Sequence, residues 1–303
     1  MFHPVNGRFV PASQRTFVLH ALVALVGLGA GAAHAHAQDT GTPAAKLPGN
    51  KVVKARLALE RTAIAPQGTT DLAIVFDISP DWHLYWRNPG DAGLPPKIAF
   101  TPIPGVTFGD PQWPAPQRDV AAGGLVSFVY AHQLVLIVPV VADLPATHTG
   151  PLEISARVDW LVCSKRCIPG RANLSASWPV SADAELSDDA GLFAETRKHL
   201  PQAASTDTCS CRINWEDHDL LLHVDGATRL TFFPYENDAN VYPDNILSGG
   251  QSDSAALRLQ YGADVAKLAQ VTGILVVTRG GSTTVCAINT PPPSAADSGG
   301  PAE

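Results

Sequence analysis

The sequence predicts an all-β protein: a β-sandwich followed by a short helix and a second, smaller β-sandwich-like domain. Three observations carry this. Between Lys51 and Val180, short alternating or β-rich runs are separated by turn clusters, and the chain's 26 prolines and 25 glycines supply that punctuation. No 3.6-residue period competes within that stretch. After one segment of helical spacing, strand-like runs resume from about residue 208 and continue to about 290.

The elements follow in order. Residues 1–37 read as a secretory signal peptide: Arg8 and Arg15 precede an apolar run from Phe17 to Ala33, no acidic residue occurs before Asp39, and Ala35-His36-Ala37 supplies a small-x-small cleavage pattern. Residues 38–50 are small, polar and broken by Pro and Gly, the composition of a flexible leader. The first sandwich, 51–182, contains the runs VVKARLALE, TTDLAIVFDIS, HLYWRN, KIAFTPI, VTFGD, LVLIVPVVAD, LEISARVDWLVC and ANLSASWPV. Trp82, Tyr85 and Trp86 read as core aromatics, with a docking surface as the alternative. From Ala182 to Leu200, the residues Leu192, Phe193, Thr196 and Leu200 fall at helical spacing with acids ahead of bases, so an amphipathic helix is expected to end before Pro201. Helix and linker together span 183–207. The second β domain, 208–290, contains RINWEDHDLLLHVD, TRLTFFPY, AALRLQYG, GILVVTRGG and STTVCAINT, and the tail from Pro291 to 303 has a disordered composition.

Charge and hydropathy exclude several functions. Without the signal, 19 basic side chains face 28 acidic ones, a net charge of −9, which argues against nucleic acid as a partner. No later stretch approaches 18 consecutive apolar residues, so no membrane span is expected in the mature chain. Methionine occurs only at position 1, which removes thioether ligands for copper, and no His or Asp/Glu spacing marks a metal or hydrolase site. No metal and no cofactor are expected.

The five cysteines, at 163, 167, 209, 211 and 286, lie in the exported part, where disulfides persist. In DWLVCSKRCIPG (159–170), strand parity puts Ile154, Ala156, Val158, Trp160 and Val162 on one face and Cys163 on the other, more polar one. A three-residue loop, Ser164-Lys165-Arg166, sets Cys163 opposite Cys167 at a separation a disulfide accepts. A bulge at Pro169-Gly170 would shift the register beyond it. Closing so small a ring removes only about 2 kcal/mol of unfolded-state freedom, a weak staple, whereas a bridge from 209 or 211 to 286 would remove about 4.5 kcal/mol. Lys165, Arg166 and Arg171 would favour an ionised sulfur. Thiol exchange is therefore preferred at 163/167, with a passive disulfide or a metal claw as the alternatives. Among Cys209, Cys211 and Cys286, one structural bridge is the default, and a CxC redox pair is the alternative.

Four segments, DWHLYWRNPGDAGLPP (81–96), WPAPQR (113–118), FVYAHQLVLIVPV (128–140) and VDWLVCSKRCIPG (158–170), together resemble the periplasmic N-terminal region of the DsbD family of thiol:disulfide interchange reductases, in particular its suppressor-of-copper-sensitivity branch. The resemblance implies an immunoglobulin-like sandwich in the periplasm, with Cys163 and Cys167 as the redox pair. It also implies a cap loop over the pair, here Asp119 to Phe128, with Leu125 and Phe128 as candidate lids and ordinary core packing as the equal alternative for Phe128. The implied partners are periplasmic thioredoxin-fold proteins or oxidised envelope proteins. The electron donor, a membrane DsbD-like protein, would act in trans, because this chain carries neither membrane helices nor a thioredoxin-like domain. The expected activity is protein-disulfide reductase-type thiol exchange. The competing expectation is a secreted binding module whose disulfides are all structural.

Overall fold

Alternation along the strands builds the first two sheets, and the second pair packs against them through shared aromatic side chains. The structure, a computed structural model, describes residues 47–293 except 122, 146, 203–208, 245 and 247–249. The signal at 1–37, most of the leader, the linker stretch 203–207 and the tail from 294 lie outside the described residues.

The first part contains β1 (Val53–Leu59), β2 (Gln67–Ile78), β3 (His83–Gly90), β4 (Lys97–Phe100), β5 (Val106–Phe108), β6 (Gln117–Val120), β7 (Val126–Ala131), β8 (Gln133–Asp143), β9 (Leu152–Cys163) and β10 (Cys167–Trp178). One sheet has the order β1-β2-β8-β5; the facing one runs β10-β9-β3-β7-β6, with β4 also paired to β9. This is the sandwich that the strand pattern predicts, in the immunoglobulin-like form that the resemblance implies. Its core holds Ile74 and Phe76 from β2, Leu84 and Trp86 from β3, and Val158, Trp160 and Val162 from β9. β2 and β8 read as nearly unbroken apolar runs because both of their faces are covered. Leu72, Ile74 and Phe76 point into the sandwich; Ala73 and Val75 lie under the helix α1 (Ala190–Lys198), whose Phe193 is fully buried against them.

Three elements differ from the sequence reading. The helix begins at Ala190, not near 182, because the acidic stretch before it is drawn along the sandwich: Thr62 N–H donates to Glu185 O at 2.9 Å and Ser187 N–H to Glu60 O at 2.9 Å. Strands β6 and β7 flank Gly123-Gly124, whose turn chemistry concealed them. The run 212–225 is two strands, β11 (Cys211–Glu216) and β12 (Asp219–Val224), reversed at Asp217, whose φ of 54° is the left-handed conformation of a tight turn.

The second part continues with β13 (Arg229–Pro234), β14 (Gln251–Ser252), β15 (Ala256–Gln260), β16 (Val271–Arg279) and β17 (Ser282–Thr290). Among the described residues they form the sheets β11-β12-β15 and β14-β13-β16-β17. Cys209 and Cys286 are fully buried between these sheets and joined, with Cα atoms 5.5 Å apart. Cys211 is free and half-buried, and burial pushes its thiol up to about 11, which keeps it protonated at neutral pH.

The two cores merge. Phe233 packs edge-on to Phe128 at 5.1 Å and to Trp86 at 6.0 Å, and Ile274 and Val285 join the same cluster. The buried Asn88 amide donates to Pro234 O at 2.9 Å across the seam. Beyond α1 the chain adds itself to the edge of β17: Gln202 N–H donates to Val285 O and Ala287 N–H to Gln202 O, both at 2.8 Å. All described residues belong to one compact unit.

The β9–β10 hairpin pairs without interruption from Cys163↔Cys167 to Leu152↔Trp178, so no bulge occurs at Pro169-Gly170. Gly170 makes this possible. A Cβ there would lie 2.2 Å from Trp160 Nε1, inside the indole that packs edge-on to Phe76 at 5.9 Å. The turn Pro48–Lys51 then clamps the hairpin root: Asn50 Nδ2 donates to Arg171 O at 2.6 Å, and Arg171 N–H donates to Asn50 Oδ1 at 2.9 Å.

Gly170→Ala is expected to lower unfolding free energy by about 1–3 kcal/mol, read from denaturant midpoints. Gly191→Ala, at a helical glycine whose added Cβ meets nothing within 4 Å, should leave stability unchanged or raise it. In the same assay, removing the Cys209–Cys286 bond, which spans 77 positions, should cost about 4.5 kcal/mol, against about 2 kcal/mol for Cys163–Cys167.

Candidate functional site

The hairpin ladder determines where the sulfurs sit. Cys163, the last residue of β9, faces Cys167, the first of β10, with Cα atoms 4.1 Å apart, and the two are joined. Between them Ser164, Lys165 and Arg166 are exposed, and the turn is closed by Ser164 N–H donating to Arg166 O at 3.2 Å. The two sulfurs have different surroundings. Cys167 is exposed, whereas Cys163 is 2% exposed although it lies on the face that strand parity assigns to polar residues.

The neighbouring strands explain the difference. His83 on β3 pairs with Cys163 on one side and with Ala131 on the other; Tyr85 pairs with Val129, and Val129 with Gln117. Side chains opposed across a ladder share a face. Tyr85 and Val129 accordingly close over Cys163, with Leu161 beside them. The Tyr85 hydroxyl lies 3.8 Å from Cys167 Sγ, and His83 Nε2 lies 3.3 Å from that hydroxyl. The Asp91–Leu94 loop covers the phenol: a Cβ on Gly93, whose φ is 106°, would fall 2.2 Å from the Tyr85 ring. Asp91 holds the loop, its N–H donating to Val126 O at 2.9 Å and its Oδ2 accepting from Val126 N–H at 2.8 Å.

Beside His83 a cavity of about 320 Å³ opens, lined also by Trp82, Arg118, Asp119 and His132. Burial lowers the imidazole's pKa while the Asp119 charge opposes that shift; burial and Asp119 together raise the Tyr85 phenol. Tyr85 is therefore protonated at neutral pH and available as a donor.

The structure brings only some of the expected residues together. Lys165 and Arg166 flank the sulfurs. Arg171 is committed to Asp159, four ladder positions and about 13 Å along β9 from the cysteines, so its charge is neutralised away from them. Burial pushes the Asp159 carboxyl up, but hydrogen bonds from Arg171 and Arg157 outweigh it and hold it below the usual range. Leu125 stands half-exposed at the tip of the β6–β7 hairpin. Phe128 is 3% exposed in the seam with Trp86 and Phe233, pointing away from the sulfurs; its neighbour Val129 is the β7 residue that touches Cys163. Tyr85, expected as a core aromatic with Trp86, is buried at 3% exposure, but on the opposite face, in the small cluster over Cys163; parity along His83-Leu84-Tyr85-Trp86 was the signal for it. Among the described residues no cluster of three His, Cys, Asp or Glu side chains is placed to hold a metal ion.

A search of curated proteins gives no match. Among solved structures, the N-terminal periplasmic domain of ScsB from Proteus mirabilis is similar at 14% identity and a TM-score of 0.54, covering 82% of this chain and 96% of that one. The reduced N-terminal domain of DsbD from Neisseria meningitidis also matches, at 14% identity and a TM-score of 0.28, over 48% of this chain and 97% of that one. The family described as "Thiol:disulfide interchange protein DsbD, N-terminal" matches residues 50–178, the span of the first sandwich with its cysteine hairpin. Residues 50–178 are therefore a DsbD-family N-terminal region.

Proposed function

We propose that this protein is a periplasmic thiol-disulfide exchange module. Through Cys163 and Cys167 it relays reducing equivalents from a donor acting in trans to oxidised envelope proteins or thioredoxin-fold partners. The observation that carries the reading is the unequal disposition of one disulfide: an exposed sulfur at a hairpin tip bonded to a buried one. A donor thiolate that attacks Cys167 expels Cys163 as thiolate; in the later step, when reduced Cys167 has attacked a partner disulfide, Cys163 stands behind it to resolve the mixed disulfide. A five-residue ring contributes little to stability, whereas the Cys209–Cys286 bond lies inside the second core, where reductant has no access. The family match over 50–178 supports the same chemistry. Among the described residues no helix is long and apolar enough to cross a membrane.

In this mechanism Cys167, as thiolate, attacks a partner disulfide, and Lys165 and Arg166 place positive charge near it. Cys163 then attacks the mixed disulfide and releases the reduced partner. Cys163→Ser is expected to accumulate mixed disulfides when incubated with periplasmic extract, and Cys167→Ser is not; non-reducing gels followed by identification of the bound proteins read this out. The opposite pattern would make Cys163 the attacking sulfur.

Under native conditions, reduced thioredoxin or glutathione should open Cys163–Cys167 and leave Cys209–Cys286 intact, as counted by thiol titration with peptide mapping. A 163–167 bond that resists both reductants would leave a binding module with structural disulfides as the better description.

A further inference from the structure

Resting on the thiol-exchange reading above, we infer that His83 and Tyr85 are positioning residues that hold a hydrogen-bond donor on Cys167 Sγ and thereby set how much of that sulfur is thiolate in the reduced protein. Tyr85 Oη lies 3.8 Å from Cys167 Sγ and 3.3 Å from His83 Nε2. A sulfur in a disulfide carries no hydrogen, so the Tyr85 hydroxyl is the donor in the first contact. Its single proton is then spent, and His83 Nε2 must donate in the second. The donors run one way, from imidazole through phenol to sulfur.

Packing fixes this array. The two rings cross edge to face at 5.2 Å, and the Gly93 backbone lies on the phenol, where no larger residue fits. A disulfide sulfur is a weak acceptor, but a thiolate is a strong one, so the donor is in place before the charge forms. In the reducing direction the Cys167 thiolate attacks one partner sulfur, the partner S–S bond breaks, and its electron pair leaves on the second partner sulfur. Cys163 gives its proton to solvent and attacks Cys167 Sγ, which restores the 163–167 bond and releases the first partner sulfur as thiolate. Two electrons pass to the partner, whose two thiolates take up two protons. Tyr85 keeps its own proton throughout.

His83 adds a pH dependence. The groups around it are Tyr85 from its own strand, Asp119 and Arg118 from β6, Asp81 and His132 from adjoining turns, and Cys163 paired with it on β9. When the imidazole takes a proton, the array gains a positive charge at its far end, which favours the thiolate. As pH falls, Cys167 should therefore stay more reactive than a single titrating thiol would.

The test uses the full chain carrying Cys163→Ser and Cys211→Ser, with the alkylation rate at Cys167 followed against pH by peptide mass. Adding Tyr85→Phe, which keeps the ring under Gly93, is expected to raise the Cys167 pKa by about one unit, a roughly tenfold loss of thiolate at neutral pH. His83→Gln keeps an N–H but does not titrate, so it should preserve neutral reactivity and lose the excess at acid pH; His83→Phe should lose both. Equal Cys167 pKa values with and without Tyr85→Phe would overturn the inference, even if partner exchange proceeds. A shifted pKa in a protein that exchanges with no partner would uphold the array and remove the relay function instead.

Discussion

The site depends on one ladder. Twelve consecutive pairs between β9 and β10, from Cys163↔Cys167 to Leu152↔Trp178, place two sulfurs opposite each other at a strand end with no backbone adjustment. Everything chemical follows from that register, because a slip of one residue would turn one cysteine to the opposite face. The register is in turn secured below the site rather than at it. Gly170 lets Trp160 occupy the core, and Asn50 bonds both ways to the Arg171 backbone, as another strand would.

Tertiary surroundings then make two chemically identical residues different. Cys163 borders β3 and is roofed by Tyr85 and Val129; Cys167 begins an edge strand and meets solvent. In the exchange proposed above this asymmetry matters more than the bond itself, since one sulfur is exposed and the other is covered. It also separates the two disulfides of the chain by task. The bond between Cys209 and Cys286 ties together distant segments of a dry core, whereas the hairpin bond closes almost nothing.

How much of this was legible follows from the range of the forces involved. Hairpin register, the inward face of β9 and the opposition of the cysteines depend on residues adjacent in sequence, and parity reads them directly. The burial of Cys163 depends on β3, some 80 positions away, and no local pattern announces it. Tyr85 was assigned to the core with Trp82 and Trp86 and is buried, but the two-residue period places it on the face opposite Trp86. Phe128 and Val129 show the same one-residue ambiguity: the resemblance pointed to the ring as a lid, yet the ring lies in the seam and the smaller side chain touches the sulfur. The acids before α1 suggested an earlier helix start because propensity takes no account of the backbone partners offered by residues 60 to 62.

The shared aromatic seam bears on how this polypeptide can be dissected. Trp86 and Phe128 complete their packing only with Phe233, Ile274 and Val285, so the boundary drawn by family membership at residue 178 is not a boundary in the hydrophobic interior. A fragment cut there would present greasy rings to water on the reverse side of the very strands that carry His83, Tyr85 and Val129. Such a fragment would stand on a loosened scaffold, and the trailing part of the molecule is better regarded as ballast for the sheet that carries the cysteine hairpin.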